Sequence, residues 1–310
     1  MPRLFCFGLG YTALALARRL RADGWAVAGT CRGEDKRARL ADQGLQAHLF
    51  DRGRPLDDAG VLAGATHLLS SVPPDAAGDP VLDHHGADIA ALVSAPEGPS
   101  AMPAGVSGDP SPRLAWIGYL STTGVYGDRA GGWVDETAAL APTGARGRRR
   151  LAAERGWLAL GRDHALGVHL FRLSGIYGPG RSALDAVRAG TARRIDKPGQ
   201  VFNRIHVDDI AAILAASIAR PNPGAAYNCA DDDPAPSHAV TACACDLLGV
   251  EPPPLVPFDA ADLSPMARSF YADNKRVANA RIKTELGVRL AHPGYRDGLA
   301  AQLAAERADG

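Results

Sequence analysis

Gly8, Gly10 and Ala13 follow the apolar run Leu4–Phe7 and lead into a stretch rich in Ala and Leu. This G-x-G-x-x-A spacing suits a turn that holds a dinucleotide pyrophosphate. Gly8 permits a tight turn, Gly10 lets backbone approach the phosphates, and Ala13 lets a helix pack closely on the strand. The N–H groups of Tyr11, Thr12 and Ala13 would then meet the phosphates at the positive end of that helix. Arg32 follows Gly29-Thr30-Cys31, where an NAD site usually carries Asp or Glu. Arginine suits a 2′-phosphate instead, with Thr30 as a hydroxyl donor and Lys36 nearby. NADP is therefore the expected cofactor, and Glu34 keeps NAD open. Asp51 could accept from an adenine amine or simply cap the turn after it.

These residues need elements to place them. Strands are expected at Leu4–Phe7, Trp25–Cys31, Leu45–Phe50, Thr66–Val72, Leu114–Leu120, Ala165–Leu173 and Ala225–Cys229. Between them lie helical stretches over the segment ending at Gly24 and at Lys36–Asp42, Val81–Val93, Gly147–Leu160 and Asp208–Ala219. Asp208 or Asp209 is the expected cap of the last. Such alternation predicts an α/β fold, a doubly wound parallel Rossmann sheet with ligands at the C-terminal strand ends. The glycine turn, Arg32, Asp51, Ser70-Ser71-Val72 and Ser121-Thr122-Thr123 all fall at such ends, and that convergence argues for a nucleotide site. Residues 1–177 are expected to form the dinucleotide-binding domain, with 204–230 returning to it and 96–112 a flexible insertion loop. Residues 178–203 and 231–310 would build a smaller substrate-binding lobe. There, helices are expected at Ser182–Gly190, Asp273–Leu286 and after Pro293, a strand at Arg193–Asp196, and a rigid connector at Pro252–Pro257.

Composition narrows the partners. The chain has 310 residues, 46% of them hydrophobic, with 34 basic and 34 acidic side chains. Zero net charge gives no reason to expect nucleic acid or a membrane surface, and no apolar run reaches the length of a membrane span. The start of the chain also resembles a secretory signal, but the glycine turn interrupts its apolar run. Five cysteines, odd in number and set in apolar stretches, read as buried thiols of a cytoplasmic protein. Cys243 and Cys245 have no partner at zinc-ligand spacing, so no metal is expected. A small-molecule substrate is the expected partner, and a homodimer stays open. His84-His85 sits on a helix face with no acidic partner in register and receives no role.

Several later stretches resemble the extended short-chain dehydrogenases/reductases, the NAD-dependent epimerase/dehydratase family. Leu120-Ser121-Thr122-Thr123-Gly124-Val125-Tyr126-Gly127 resembles its SS-x-x-VYG strand end, and Trp133-Val134-Asp135-Glu136-Thr137 its acidic segment. Phe171–Gly180, Arg204–Ala211 and Tyr227–Ala230 are similar to its R-x-x-x-x-YGPG, HVDD-x-A and YN-x-A stretches. The likeness covers roughly residues 3 to 290. It implies that Thr122 holds the place of the catalytic Ser/Thr that hydrogen-bonds the reacting oxygen. It also implies a Tyr-x-x-x-Lys motif on the next helix, where this chain has Arg146 and Arg150. Arginine stays protonated, so Arg146 cannot replace the tyrosine as acid/base. It could bind an anion or stabilise an oxyanion, and Arg150 could hold ribose hydroxyls. Arg148 and Arg149 read as solvated. The likeness is therefore to atypical members that keep the fold and lose the usual tetrad. Thr123, Tyr126, Tyr177 and Arg204 are candidate substrate contacts, although each tyrosine could equally be a packed core residue.

Two functions remain in view. One is an NAD(P)-dependent oxidoreductase or epimerase acting on a sugar-like or other polar small molecule by hydride transfer. The other is a non-catalytic NADP(H)-binding redox sensor.

Overall fold

The computed structural model describes residues 1–92 and 114–309. The expected insertion loop at 96–112 lies outside them. Seven strands form the central sheet: β1 (Arg3–Phe7), β2 (Ala26–Cys31), β3 (Gln46–Leu49), β4 (His67–Ser70), β5 (Trp116–Thr122), β7 (Val168–Leu173) and β11 (Ala226–Cys229). Short strands β6 (Trp133–Val134), β8 (Gly175–Tyr177), β9 (Arg194–Asp196), β10 (Arg204–His206), β12 (Leu255–Pro257) and β13 (Arg276–Val277) pair outside it. The helices are α1 (Tyr11–Ala22), α2 (Glu34–Asp42), α3 (Pro80–Ala91), α4 (Ala145–Asp163), α5 (Ala183–Arg188), α6 (Val207–Ala219), α7 (Ser237–Leu248), α8 (Pro265–Phe270), α9 (Ala280–Thr284) and α10 (Tyr295–Asp309).

The sheet order is β11-β7-β5-β4-β1-β2-β3, and β1 pairs in parallel with both β2 and β4. Strand order therefore reverses between β1 and β4, which defines the doubly wound Rossmann fold and its switch point. Leu4, Phe5, Cys6 and Phe7 are all fully buried. A strand covered on both faces must be a continuous apolar run, and this one is. In α1 the buried residues Ala13, Leu16, Ala17 and Leu20 recur at helical spacing, while Arg18, Arg19 and Arg21 point to solvent. Asp79 caps α3 by accepting from Val81 and Leu82 N–H, and Pro80 opens that helix.

Two compact units divide the chain. The first is Met1–Leu120, Ala152–Leu170 and Pro221–Ala225; the second is Ser121–Leu151, Phe171–Arg220 and Ala226–Gly310. In the second, Leu184, Val240, Ala244, Tyr295, Leu299 and Leu303 from α5, α7 and α10 form one buried cluster.

Four expectations need correction. The stretch Asp273–Leu286 is not one helix: Arg276 and Val277 pair with Trp133 and Val134, and only Ala280–Thr284 is helical. Asn274 and Asn279 explain the break, because both spend their side chains on distant backbone, at Val201 N–H, Gly199 O and Ala230 O. Leu255–Pro257 is a strand paired with β9 rather than a bare connector. Neither Asp208 nor Asp209 caps α6. His206 does, its Nδ1 accepting from Asp208 N–H at 3.3 Å. Finally, His85 has an acidic partner one turn on: its Nδ1 meets Asp88 at 2.8 Å while Nε2 accepts from Leu56 N–H.

Candidate active site

In the first unit the glycine turn is built by three strand ends. Gly8 has φ of +88°, a left-handed conformation that favours glycine. Its N–H donates to Thr30 Oγ1 at 2.8 Å, and its carbonyl accepts from Ser71 Oγ. Ser71 N–H donates to Phe7 O, and Leu9 N–H to Thr30 O. A Cβ on Gly8 would sit 2.7 Å from Ser71 Oγ and 3.4 Å from a Val72 methyl. A Cβ on Gly10 would meet nothing closer than Gly8 O at 4.0 Å. The first glycine is therefore needed by the fold, whereas the second leaves open space beside the start of α1. Gly10 is the N-cap of α1 and offers no side chain to it, and the first turn holds no acidic residue. Thr12 and Ala13 are buried in that turn, and Tyr11 is half-buried. The unneutralised end of a twelve-residue helix next to a tight turn suits an anion.

The other first-unit residues divide by burial. Thr30 is buried and holds the turn from within. Ser70 is fully buried, and its hydroxyl has no partner among the described residues. Arg32 is exposed at the end of β2, where Arg54 donates to its carbonyl at 2.6 Å. Asp51 caps its turn through Gly53 N–H and pairs with Arg54 at 3.4 Å. Cys6 is buried in β1, and desolvation pushes its thiol up to about 12, which makes it inert.

In the second unit, Ser121 is buried and Thr122 ends β5 half-exposed. Thr122 Oγ1 accepts from Gly124 N–H at 3.1 Å and so caps the short turn Thr123–Tyr126. Its own O–H proton stays available to donate. Thr123 turns inward, its hydroxyl directed to Leu173 O. Tyr126 is corrected as a substrate contact: it is fully buried. Its OH donates to Asn228 Oδ1 at 2.7 Å and accepts from Arg172 at 2.9 Å, so the hydroxyl is already satisfied. Burial raises its pKa further, against the role of proton donor.

Arg146 is exposed on the first turn of α4, its guanidinium 4.6 Å above the Phe270 ring. Arg150 is half-buried one turn further on. Between them Gly147 is buried, and a Cβ there would strike Gly124 O at 2.7 Å. Close contact with the turn after Thr122 thus fixes the register of α4. Tyr177 and Arg204 do share a cavity of about 220 Å³, lined also by Arg181, Ser237, Thr241 and Tyr295. Tyr177 OH donates to Gly294 O, and Arg204 Nη1 to the carbonyls of Phe202 and Ala235.

Sequence reasoning missed several groups. Asp231 lies within electrostatic reach of Arg204 and Tyr177, and burial pushes its carboxyl up to about 8. Its Oδ2 has no partner among the described residues. An acidic run, Asp231-Asp232-Asp233, gives no sign of which member is buried. Lys275 is buried too, with Nζ 2.8 Å from Gly127 O and 3.5 Å from Asp273. Glu136, from the acidic segment, accepts from Asn228 N–H and has a raised pKa through burial. These contacts join residues far apart in the chain, so no local pattern reports them.

Strand order and glycine turn define a Rossmann-fold protein, and the comparisons place it further. No family model matches the chain. It is 30% identical to Protein YeeZ of Escherichia coli (strain K12) over 261 residues, 82% of this chain and 86% of that protein. It is 50% identical to a conserved protein of unknown function from Silicibacter pomeroyi DSS, with TM-score 0.86 over 98% of this chain and 99% of that one. A protein from Methylobacillus flagellatus, provisionally described as an NAD-dependent epimerase/dehydratase, is 29% identical with TM-score 0.65 over 99% and 98% of the two chains. The chain belongs to the extended short-chain dehydrogenases/reductases, in the NAD-dependent epimerase/dehydratase family.

Proposed function

We propose that this protein is an NADP-dependent oxidoreductase or epimerase/dehydratase-like enzyme acting on a small polar, sugar-like molecule. The observation that carries the reading is the Gly8–Gly10 turn. It is locked by Thr30 and Ser71, open at Gly10, and followed by a helix end with no side-chain cap and no acid in its first turn. Gly8, Gly10, Tyr11, Thr12 and Ala13 would hold the pyrophosphate, and Ser70, Ser71, Val72 and Ser121 would line the strand ends beyond it. Arg32 would pair with a 2′-phosphate, and Asp51 would meet the adenine. A bound nicotinamide would accept or supply hydride at the reacting carbon. Thr122 would donate a hydrogen bond to the substrate oxygen and orient it, Arg146 would stabilise charge on it, and Arg150 would bind ribose hydroxyls. Tyr177 and Arg204 would contact the substrate, while Thr123, turned inward to Leu173 O, would only support the turn beside Thr122. A cavity of about 220 Å³ with two arginines suits a small anionic or polyhydroxylated molecule. The five free cysteines favour a reducing compartment such as the cytoplasm.

Calorimetric titration with NADP⁺, NADPH, NAD⁺ and NADH tests the reading. Preferential binding of the phosphorylated pair, weakened about tenfold or more in Arg32→Ala with NAD⁺ affinity unchanged, is the expected result. Binding of none of the four overturns it.

Arg146 and Arg150, in place of tyrosine and lysine, favour a second reading: a redox sensor that binds NADP(H) without turnover. It predicts very different affinities for the oxidised and reduced forms, and no carbonyl or alcohol that changes nicotinamide absorbance.

A further inference from the structure

Three ligand-type side chains in the second unit converge beside Tyr177, and none of them is among the cofactor or substrate contacts assigned above. His206 ends β10, Asp208 lies in the first turn of α6, and His292 lies in the loop between α9 and α10. One donor atom from each lies within 4.8 Å of the other two. The two imidazole rings stand 3.9 Å apart, centre to centre, at 52°. That is closer than aromatic rings usually pack, so the rings are gathered rather than stacked.

The surroundings hold this arrangement. Asp209 is buried, and its carboxylate accepts from Ala291 N–H at 2.7 Å and His292 N–H at 3.0 Å. The residue after Asp208 thus pins the loop that carries His292. His206 is buried with its ring edge-to-face against Tyr177, 5.1 Å away. The Asp208 side chain is 63% exposed and free to swing, and its Oδ2 already lies 3.7 Å from His206 Nδ1.

We propose that His206, Asp208 and His292 bind one divalent transition-metal ion of the zinc type. Two imidazoles and one carboxylate form a borderline donor set, suited to such an ion rather than to calcium or magnesium. Metal–ligand bonds of about 2.0–2.1 Å place tetrahedral ligands roughly 3.3 Å apart. The Asp208–His206 pair is nearly there, and rotation of the exposed Asp208 and the half-buried His292 side chains closes the remaining separation. Nδ1 of His206 is the ligating atom. Because it accepts from Asp208 N–H, the ring carries its proton on Nε2. That hydrogen bond is long, at 3.3 Å, and gives way to the stronger metal bond. The positive end of α6 opposes a cation, and the carboxylates of Asp208 and Asp209 in its first turn offset it. Three protein ligands leave one position for water or an anion. The site is independent of the nucleotide reading.

The test is Zn²⁺ titration of the tag-free, chelator-treated full chain by calorimetry, with Co²⁺ absorption as a reporter of coordination. One equivalent binding at micromolar or lower Kd, with the intense visible bands of four-coordinate Co²⁺, is expected. Asp208→Ala and His292→Ala should each weaken Zn²⁺ at least about tenfold. Asp208 is exposed, so its variant should fold like the wild type and carries the test if His292→Ala does not. Absence of stoichiometric binding, or binding undiminished in any folded variant, overturns the proposal.

Discussion

Thr122 divides the work of one hydroxyl. Its oxygen accepts from Gly124 N–H, and that leaves the O–H free to donate a hydrogen bond to a substrate oxygen. Thr122→Val removes both, whereas Thr122→Ser keeps both. The valine variant should lose about 10²–10³ in kcat at unchanged cofactor Kd, and about 1 kcal/mol of stability through the lost cap. The serine variant should lose little of either. Steady-state rates and thermal melts decide between a catalytic hydroxyl and one that only caps a turn. Tyr126 is the opposite case. Its hydroxyl lies between Arg172 and Asn228 with no route to solvent. Tyr126→Phe leaves two buried polar groups short of a partner and should cost about 1–3 kcal/mol by urea unfolding. A change in substrate KM without that loss would contradict this account.

At the scale of elements, the two turn glycines separate folding from binding. Gly8 combines positive φ with a crowded site, while Gly10 has neither. Gly8→Ala should lower Tm by several degrees, corresponding to about 1–3 kcal/mol. Gly10→Ala should melt like the wild type yet lose nucleotide affinity, because its methyl group occupies the space needed by the pyrophosphate. Equal affinity in Gly10→Ala and wild type would remove the phosphate from this turn. The helices show the same division between local and distant causes. Asp79, Pro80 and the Ser182–Asp185 capping box mark their helix starts locally. The start of α4 is held differently, by Gly147 seated against Gly124 O.

For the whole molecule, buried titratable groups set a pH dependence with two opposing limbs. Burial holds His67 near pKa 4 and lowers His169, whose Nδ1 faces Ile117 O while Nε2 accepts from Asn222 N–H. Unfolded histidines take up protons below about 6.5, so these two cost stability as pH falls from there toward 4. Asp231 acts with the reverse sign. It stays protonated in the fold up to about pH 8 but ionises near 4 when unfolded, so it costs stability as pH rises between those values. Urea midpoints should therefore peak in the mildly acidic to neutral range. Asp231→Asn should be more stable than wild type at pH 8 and lose that advantage near pH 4. A gap independent of pH would show that Asp231 is ionised in the native state.

Local chemistry by itself determined the sheet class, the glycine turn and most helix and strand positions. Each rests on periodicity or on short-range sterics that neighbours in sequence impose on one another. The apolar run Leu4–Phe7 suits a covered strand, and Gly8 after it suits the turn. Only the tertiary structure decided that Tyr126 is sealed in the core, that Asp231 and Lys275 are buried titratable groups, and that residues 273–286 break into a strand and a short helix. It also decided that His292 joins His206 and Asp208. Those outcomes depend on which distant backbone group or side chain arrives opposite, and on the desolvation that follows, and neither is written in the spacing of nearby residues.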